Sequence, residues 1–398
     1  MKIESKAVHA GDRIRKPGVP VPVTTPIYAA ASFFYDKLET VDKVFGHEVH
    51  GYAYSRYDNP TNAALEEAMS ALEGAAGSLA TASGMSALQI ALTAALTDRR
   101  KKVVAAKELY GATIKLLQMV FEPFGVETVW VSISDLDQVE KAIQEEKPGV
   151  VLMESISNPL LRVGAVDRVA EMARAVGACL IVDNTFATPM LVRPLELGAN
   201  ISIHSATKYL AGHGDVIGGV VCCDREHLDA VRGLSRIYGP ILGPFECYLT
   251  MRGLKTFPLR TERQNANARR VAEFLASHPM VEQVYFPGLE NHPDQEISRR
   301  LFPEGMFGAM VSFDIRGAGR EEVFAFFDRL QMVVPATSLG DVHTMALYPV
   351  IASHRDLAPK QRERLGIRDC LVRLSVGIEA VEDITADLDQ ALVGGSTS

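Results

Sequence analysis

Cysteine is scarce in this chain. Its five copies, Cys179, Cys222, Cys223, Cys247 and Cys370, are scattered through apolar stretches without a C-x-x-C pair. That spacing argues against a disulfide framework or a thiolate metal site and reads as reduced core thiols. The ten histidines form no H-x-x-x-H pair, so no metal centre is expected. Long apolar runs are also missing: none approaches the roughly 20 residues that cross a bilayer. The opening "MKIESKAVHAGDR" lacks the apolar stretch of a secretory leader, so a cytoplasmic location is expected. The formal net charge is -8, and the densest basic cluster, Arg99, Arg100, Lys101 and Lys102, reads as a solvated loop. A nucleic-acid partner needs clustered cations and is excluded on that ground. Internal repeats are absent, and the one low-complexity piece, "GGSTS" at the end, reads as frayed.

What is present is a large globular chain. Its 398 residues, 47% hydrophobic and 23% charged, suffice for about two or three domains. Between residues 75 and 225, the runs "KVVAA" (102–106), "GVVLM" (149–153), "CLIVD" (179–183) and "GVVCC" (219–223) read as strands. Val166, Val169, Ala173 and Val176 recur at helical spacing, with Gly177 closing the segment. Strands alternating with helices predict a mostly parallel sheet covered on both faces. Beyond residue 250 the pattern changes. Helical stretches at 262–277 and 320–330 alternate with "VEQVYF", "GAMVSFDI" and "LVRLSVGIE", which predicts a smaller α+β domain. Pro17, Pro20, Pro22 and Pro26 break any long helix near the start and suggest an extended arm. The expected division is therefore an arm at 1–50, a large domain at 51–250 and a C-terminal domain at 251–398.

Ligands of such sheets bind at the carboxyl ends of strands, and two residues there draw attention. Asp183 closes "CLIVD". Lys208, 25 residues later, follows the run "ISI" and lies between Thr207 and the turn Gly212-His213-Gly214. A lysine amine and a carboxylate brought to one site suit a Schiff-base cofactor, pyridoxal phosphate, which also needs hydroxyls and backbone amides for its phosphate. Ser205 and Thr207 offer hydroxyls. "ASGMSALQIALTAAL" (82–96) offers amides, with Ser83 as helix cap and Gly84 and Met85 in the first turn.

Seven stretches together are similar to the Cys/Met-metabolism family of pyridoxal-phosphate enzymes across nearly the whole chain. They are "YSRYDNPT" (54–61), "ASGMSA" (82–87), "LYGAT" (109–113), "ESISNP" (154–159), "VDNTFATP" (182–189), "HSATKYLAGHGDVIGG" (204–219) and "LVRLSVGIE" (371–379). The resemblance implies an α/β fold of type I, with a mostly parallel seven-stranded sheet in the large domain and a smaller α+β C-terminal domain. It implies pyridoxal 5'-phosphate as cofactor, Lys208 as its Schiff-base lysine and general base, and Asp183 as partner of the ring nitrogen. Gly84, Met85, Ser205 and Thr207 would hold the phosphate. Tyr110 would stack on the ring and assist proton transfer. Arg373, helped by Asn158 and Ser338, would take the substrate α-carboxylate. Tyr54 and Arg56 would reach the phosphate of a neighbouring subunit, making the enzyme a homo-oligomer with shared sites, a tetramer built as a dimer of dimers.

Departures from the family pattern bear on the substrate. Where members that handle cystathionine commonly carry acidic residues, before "YSR" and before "SLG", this chain has Ala53 and Thr337. "YGAT" has Ala112 where methionine lyases commonly have cysteine, and the usual "HPASMTH" reads "YPVIASH" (348–354). The activity implied is γ-elimination from a γ-substituted amino acid, methionine-like or homocysteine-like, to a 2-oxo acid and ammonia. The alternative is γ-replacement, as in cystathionine γ-synthases and O-acetylhomoserine sulfhydrylases. A protein that keeps the fold and only binds the cofactor is the contrasting reading.

Overall fold

The computed structural model describes residues 1–12, 20–46, 48–96, 100–355 and 359–394. Pro17, Arg99 and the last four residues of "GGSTS" lie outside them.

The main sheet has seven strands: β1 (Gly77–Thr81), β2 (Lys102–Ala106), β3 (Glu127–Val131), β4 (Val150–Glu154), β5 (Cys179–Asp183), β6 (Ile201–Ser205) and β7 (Gly219–Cys223). Their spatial order is β1-β7-β6-β5-β4-β2-β3. From β3 to β6 all pairings are parallel, whereas β7 runs antiparallel to both β6 and β1. The sheet is therefore mixed, with its parallel block where the sequence predicts one. β1, β4 and β7 are buried along their whole length, which is why β4 and β7 read as continuous rather than alternating apolar runs.

Among the helices that precede or link these strands are α1 (Ile3–His9), α2 (Leu38–Phe45), α3 (Pro60–Glu73), α4 (Gly84–Leu96), α5 (Gly111–Leu116), α6 (Leu136–Glu146) and α7 (Val166–Ala175). α3 starts where Asn59 accepts the Thr61 N–H at 2.9 Å and Pro60 takes the first position, and it stops at Gly74 in the left-handed region. α1 and α2 show that the first fifty residues are not wholly extended. The prolines at 20, 22 and 26 confine the extended portion to the stretch between those two helices.

A second sheet of five strands follows. It comprises β8 (Val281–Tyr285), β9 (Met310–Ile315), β10 (Val334–Pro335), β11 (Met345–Leu347) and β12 (Leu371–Ser375), in the order β10-β11-β12-β9-β8. One apolar core packs α4, α6 and α7 on the main sheet, and a second is continuous from α3 to the five-stranded sheet. All five cysteines are buried thiols outside any disulfide. Lys102 departs from the solvated-loop reading. It opens β2 and pairs with Glu146 at 2.5 Å and Glu127 at 3.2 Å, because strand pairing draws it across those carboxylates. Among the described residues no helix is long and apolar enough to cross a membrane, and no cluster of three His, Cys, Asp or Glu side chains could hold a metal ion.

Candidate active site

Because β4, β5 and β6 are parallel neighbours, their carboxyl ends stand side by side. Asp183 ends β5, and Glu154, in register with it, ends β4. Burial pushes the Asp183 carboxyl up, partly offset by hydrogen bonds from Thr185 and by the His204 ring. Burial also drives Glu154 well above the usual carboxylate range, and the Asp183 charge beside it adds to this. Glu154 accepts the Tyr110 N–H at 2.6 Å. No lysine or arginine is among the groups acting on either carboxyl. Two buried acids without a cation await a positively charged group.

The opposite imbalance lies close by. Lys208, three residues past β6, donates from Nζ to the Ser338 hydroxyl at 2.9 Å. Burial, with the Arg373 charge, lowers this amine to about 8. Arg373 is the middle residue of β12 and 3% exposed. Its Nη1 donates to Asn158 Oδ1 at 2.8 Å and its Nη2 to the Ser338 carbonyl at 3.3 Å, while Nε has no partner. Burial lowers this guanidinium to about 10, opposed only by the Tyr209 and Tyr110 hydroxyls. Ser338 thus ties the amine to the guanidinium. Gly340 allows this: at φ +76° it brings its loop so close that a Cβ would stand 2.6 Å from Tyr209 N.

A third feature completes the constellation. Ser83 caps α4, its hydroxyl accepting the Ser86 N–H at 3.1 Å. The N–H groups of Gly84 and Met85 fall in the first turn, where a helix has no acceptor of its own. A Cβ on Gly84 would lie 3.0 Å from Ser205 Cβ, so the open turn faces the end of β6 and makes an anion cradle. Thr207 also supports the loop that follows β6. Its hydroxyl donates to the Gly218 carbonyl at 3.2 Å and accepts the Gly218 N–H at 3.0 Å, closing its own loop. Tyr110 caps the start of α5, 42% exposed and electrostatically coupled to Arg373.

Tyr54 and Arg56 are not joined to this group by any contact among the described residues. The Arg56 guanidinium stacks over Tyr57 at 4.7 Å and Tyr54 at 5.5 Å and donates to the Arg236 carbonyl. Arg56 lines a separate cavity of about 720 Å³ with Asp58, Glu66 and Arg236. Sequence reasoning missed Glu154, and it missed Thr185, whose hydroxyl accepts the Ser205 N–H at 2.9 Å and whose own N–H donates to Asp183 at 3.0 Å. Both lie in the singled-out motifs "ESISNP" and "VDNTFATP", and Glu154 occupies a strand end, the signal that found Asp183.

Known proteins share this arrangement at the level of sequence and fold. The chain is 42% identical over 389 residues to an L-methionine γ-lyase of Fusobacterium nucleatum subsp. polymorphum, covering 97% of this chain and 96% of that one. It is 41% identical over 368 residues to an O-succinylhomoserine sulfhydrylase of Pseudomonas aeruginosa, covering 92% and 90%. A crystal structure of cystathionine γ-synthase from Xanthomonas oryzae pv. oryzae, in complex with aminoacrylate and cysteine, superposes with a TM-score of 0.91 at 36% identity, covering 99% of this chain and 98% of that one. The sequence profile for "Cys/Met metabolism PLP-dependent enzyme" matches residues 4–393, and on these grounds the chain belongs to that family of pyridoxal-phosphate enzymes.

Proposed function

We propose that the protein eliminates the γ-substituent from an amino acid with an uncharged, thioether-like side chain, producing a thiol, a 2-oxo acid and ammonia with uptake of one water. The cofactor of the family is pyridoxal 5'-phosphate, and the residues fit it. Asp183 is a buried carboxyl lacking a cation, Lys208 is an amine lowered to about 8, and the Gly84 cradle would be filled by any side chain. Lys208 would carry it, Asp183 would face its ring nitrogen, and Gly84, Met85 and Ser205 would hold its phosphate. When bound it supplies an aldehyde that condenses with amines and a ring that takes up electrons.

The chain's own groups do the rest. Arg373 takes the substrate α-carboxylate in a two-pronged grip, with Asn158 and Ser338 fixing the plane of the guanidinium. The Lys208 amine removes the proton from the substrate Cα and moves protons at Cβ, and a value near 8 keeps a fraction of it unprotonated at neutral pH. Tyr110, half exposed at the mouth, shields the reacting carbon and sits within electrostatic reach of Arg373. Tyr54, exposed, and Arg56, half-buried, both apart from Lys208, serve the phosphate of a neighbouring subunit in a homo-oligomer.

The observation that carries this reading is Arg373, a buried cation held by two neutral oxygens with no carboxylate bonded to it among the described residues. Elimination is favoured over replacement by the similarity to methionine γ-lyases, of which three further relatives match at 40–42% identity. Replacement has its own support in the sulfhydrylase at 41%. A substrate panel decides: methionine, homocysteine, cystathionine, and O-acetylhomoserine and O-succinylhomoserine each with and without sulfide, products identified by mass spectrometry. Release of a 2-oxo acid from methionine supports elimination. Sulfide-dependent homocysteine without 2-oxo acid would replace it with the second reading.

A further inference from the structure

We propose that Ser312 is a positioning residue of the carboxylate grip: its hydroxyl holds the Asn158-Pro159 dipeptide against the five-stranded sheet and so fixes the Asn158 amide that orients the guanidinium of Arg373. Ser312 lies on β9, directly opposite Arg373 on β12 in the antiparallel register. Residues paired in that way project from the same face of a sheet. Both reach the loop that follows β4. Arg373 Nη1 donates to Asn158 Oδ1 at 2.8 Å, and the Ser312 hydroxyl donates to the Pro159 carbonyl at 2.7 Å. Ser312, Asn158, Pro159 and Arg373 are all buried, so water competes for neither bond. The pyrrolidine ring of Pro159 fixes φ, and a carbonyl held at Pro159 therefore restrains the Asn158 peptide joined to it.

The rest of the loop shows why a single hydroxyl matters at this end. The Arg162 N–H donates to Ser157 Oγ at 3.0 Å and the Ser157 N–H to the Arg162 carbonyl at 2.9 Å, which closes residues 157–162 on themselves. Asp294, between β8 and β9, grips the far end of that loop. It takes Arg162 Nε at 2.6 Å, Arg162 Nη2 at 2.8 Å and the Val163 N–H at 2.9 Å. Ser312 is the matching anchor at the near end, beside Asn158. Without its hydroxyl the Pro159 carbonyl loses a buried donor and the Asn158 amide gains freedom to turn, while Asp294 still ties the loop down. Arg373 keeps its second bond, to the Ser338 carbonyl, and Lys208 keeps its bond to the Ser338 hydroxyl. The affected quantity is the affinity for a carboxylate-bearing ligand, not proton transfer at Lys208.

This inference rests on the reading of Arg373 as the α-carboxylate residue, and the experiment separates the two. Holoenzyme variants Ser312→Ala, Asn158→Ala, the two combined, Ser312→Cys and Arg373→Leu are titrated with L-alanine and with propylamine, following the visible absorbance of the bound cofactor. KM and kcat are measured on the best substrate of the panel. Ser312→Ala should weaken L-alanine about fivefold, on the scale of one neutral hydrogen bond. It should leave propylamine within about twofold and act on KM more than on kcat. In the Asn158→Ala background the same substitution should change L-alanine affinity by less than about twofold, because the amide through which it acts is gone. If Ser312→Ala does not fold, Ser312→Cys fills the space with a weaker donor and must show the same selective loss. Equal weakening of both ligands, unchanged L-alanine binding, or a loss that persists in the Asn158→Ala background would overturn the role of Ser312. If Arg373→Leu leaves L-alanine affinity intact, the reading of Arg373 itself falls.

Discussion

The two ends of the site are electrostatic opposites. At the strand ends of the main sheet, Asp183 and Glu154 are buried acids with no cation beside them, both pushed upward. Where the loop after β6 meets the five-stranded sheet, Lys208 and Arg373 are sequestered cations with no acid among the groups that act on them, both pushed downward. A chain concerned only with stability would pair these charges with each other, because an unpaired buried charge costs several kcal/mol. Keeping them apart leaves each end complementary to part of an incoming molecule: a protonated ring nitrogen at one, an aldehyde and a carboxylate at the other. On the proposed reading this separation serves the cofactor and the substrate, and substituting either end tests it.

The largest effect belongs to Lys208. Lys208→Ala should lower turnover by about 10⁴-fold or more, beyond the range of simple acid–base loss, because the attachment point goes with the base. The fold should persist, and borohydride reduction followed by peptide mapping should label Lys208 in the parent protein. A label on another lysine removes Lys208 from the scheme.

Next comes the sharing of sites. Arg56→Ala and Lys208→Ala chains are each expected to be nearly inactive. Mixed under conditions of subunit exchange, they should regain up to about a quarter of parental activity, since half the twofold pairs are mixed and each mixed pair has one intact site. No recovery, with exchange demonstrated by mass, would count against sharing of sites through Tyr54 and Arg56.

Arg373→Leu should cost roughly 10²-fold or more in kcat/KM, the scale of removing one partner of a buried charge pair, and act mainly through KM. Arg373→Lys should recover only part of that, because an ammonium cannot reproduce a planar fork held by Asn158 and Ser338. Full recovery would mean that charge alone is read at this end.

The contrast also separates what was legible in the sequence from what was not. The strands "KVVAA", "CLIVD" and "GVVCC" coincide with β2, β5 and β7 to the residue, because buried β-branched runs have few other uses. β1 escaped, since "GSLAT" has a single large apolar residue and owes its burial to neighbours on both faces. The reversed direction of β7 escaped as well, because periodicity carries no sign for strand direction. Asp183 and Lys208 were legible because each stands at a strand end. The partners that define their chemistry were not: Lys208 meets Ser338 across 130 residues and Arg373 meets Asn158 across 215. Long-range pairing of polar groups leaves no local pattern, and it took the fold to bring Glu154 into view.

Selectivity is a smaller effect and sharpens the cation-rich end. Ala53 and Thr337 supply no carboxylate for a second ammonium, and Asp341, buried 5% exposed beside the His343 ring at 3.1 Å, is already engaged. An ammonium left unpaired in a partly desolvated pocket costs on the order of 1–3 kcal/mol. Methionine or O-acetylhomoserine should therefore exceed cystathionine in kcat/KM by about tenfold. Thr337→Glu should narrow that gap. If cystathionine is the best of the three, the missing carboxylates do not govern choice.

The smallest effect is a stability difference whose sign must reverse between the two ends. Lys208 falls from its ordinary 10.5 to about 8. Between those values the unfolded chain holds a proton that the native chain does not, so native stability rises with pH through this window, and the penalty is fully present below it. The Asp183 carboxyl is raised above its ordinary 3.8, so its penalty is present at neutral pH and is relieved as pH falls toward the raised value. In apoprotein at pH 7, Lys208→Met and Asp183→Asn should therefore each melt above the parent by a few degrees, the shift that about 1–2 kcal/mol gives a chain of this size. Raising the pH from 7 to 10 should close the gap for Lys208→Met and leave that for Asp183→Asn. Lowering it toward 5 should do the converse. Gaps that move together, or variants less stable than the parent at pH 7, would mean that the two ends already balance each other inside the apoprotein, and the proposed complementarity to a ligand would lose its physical basis.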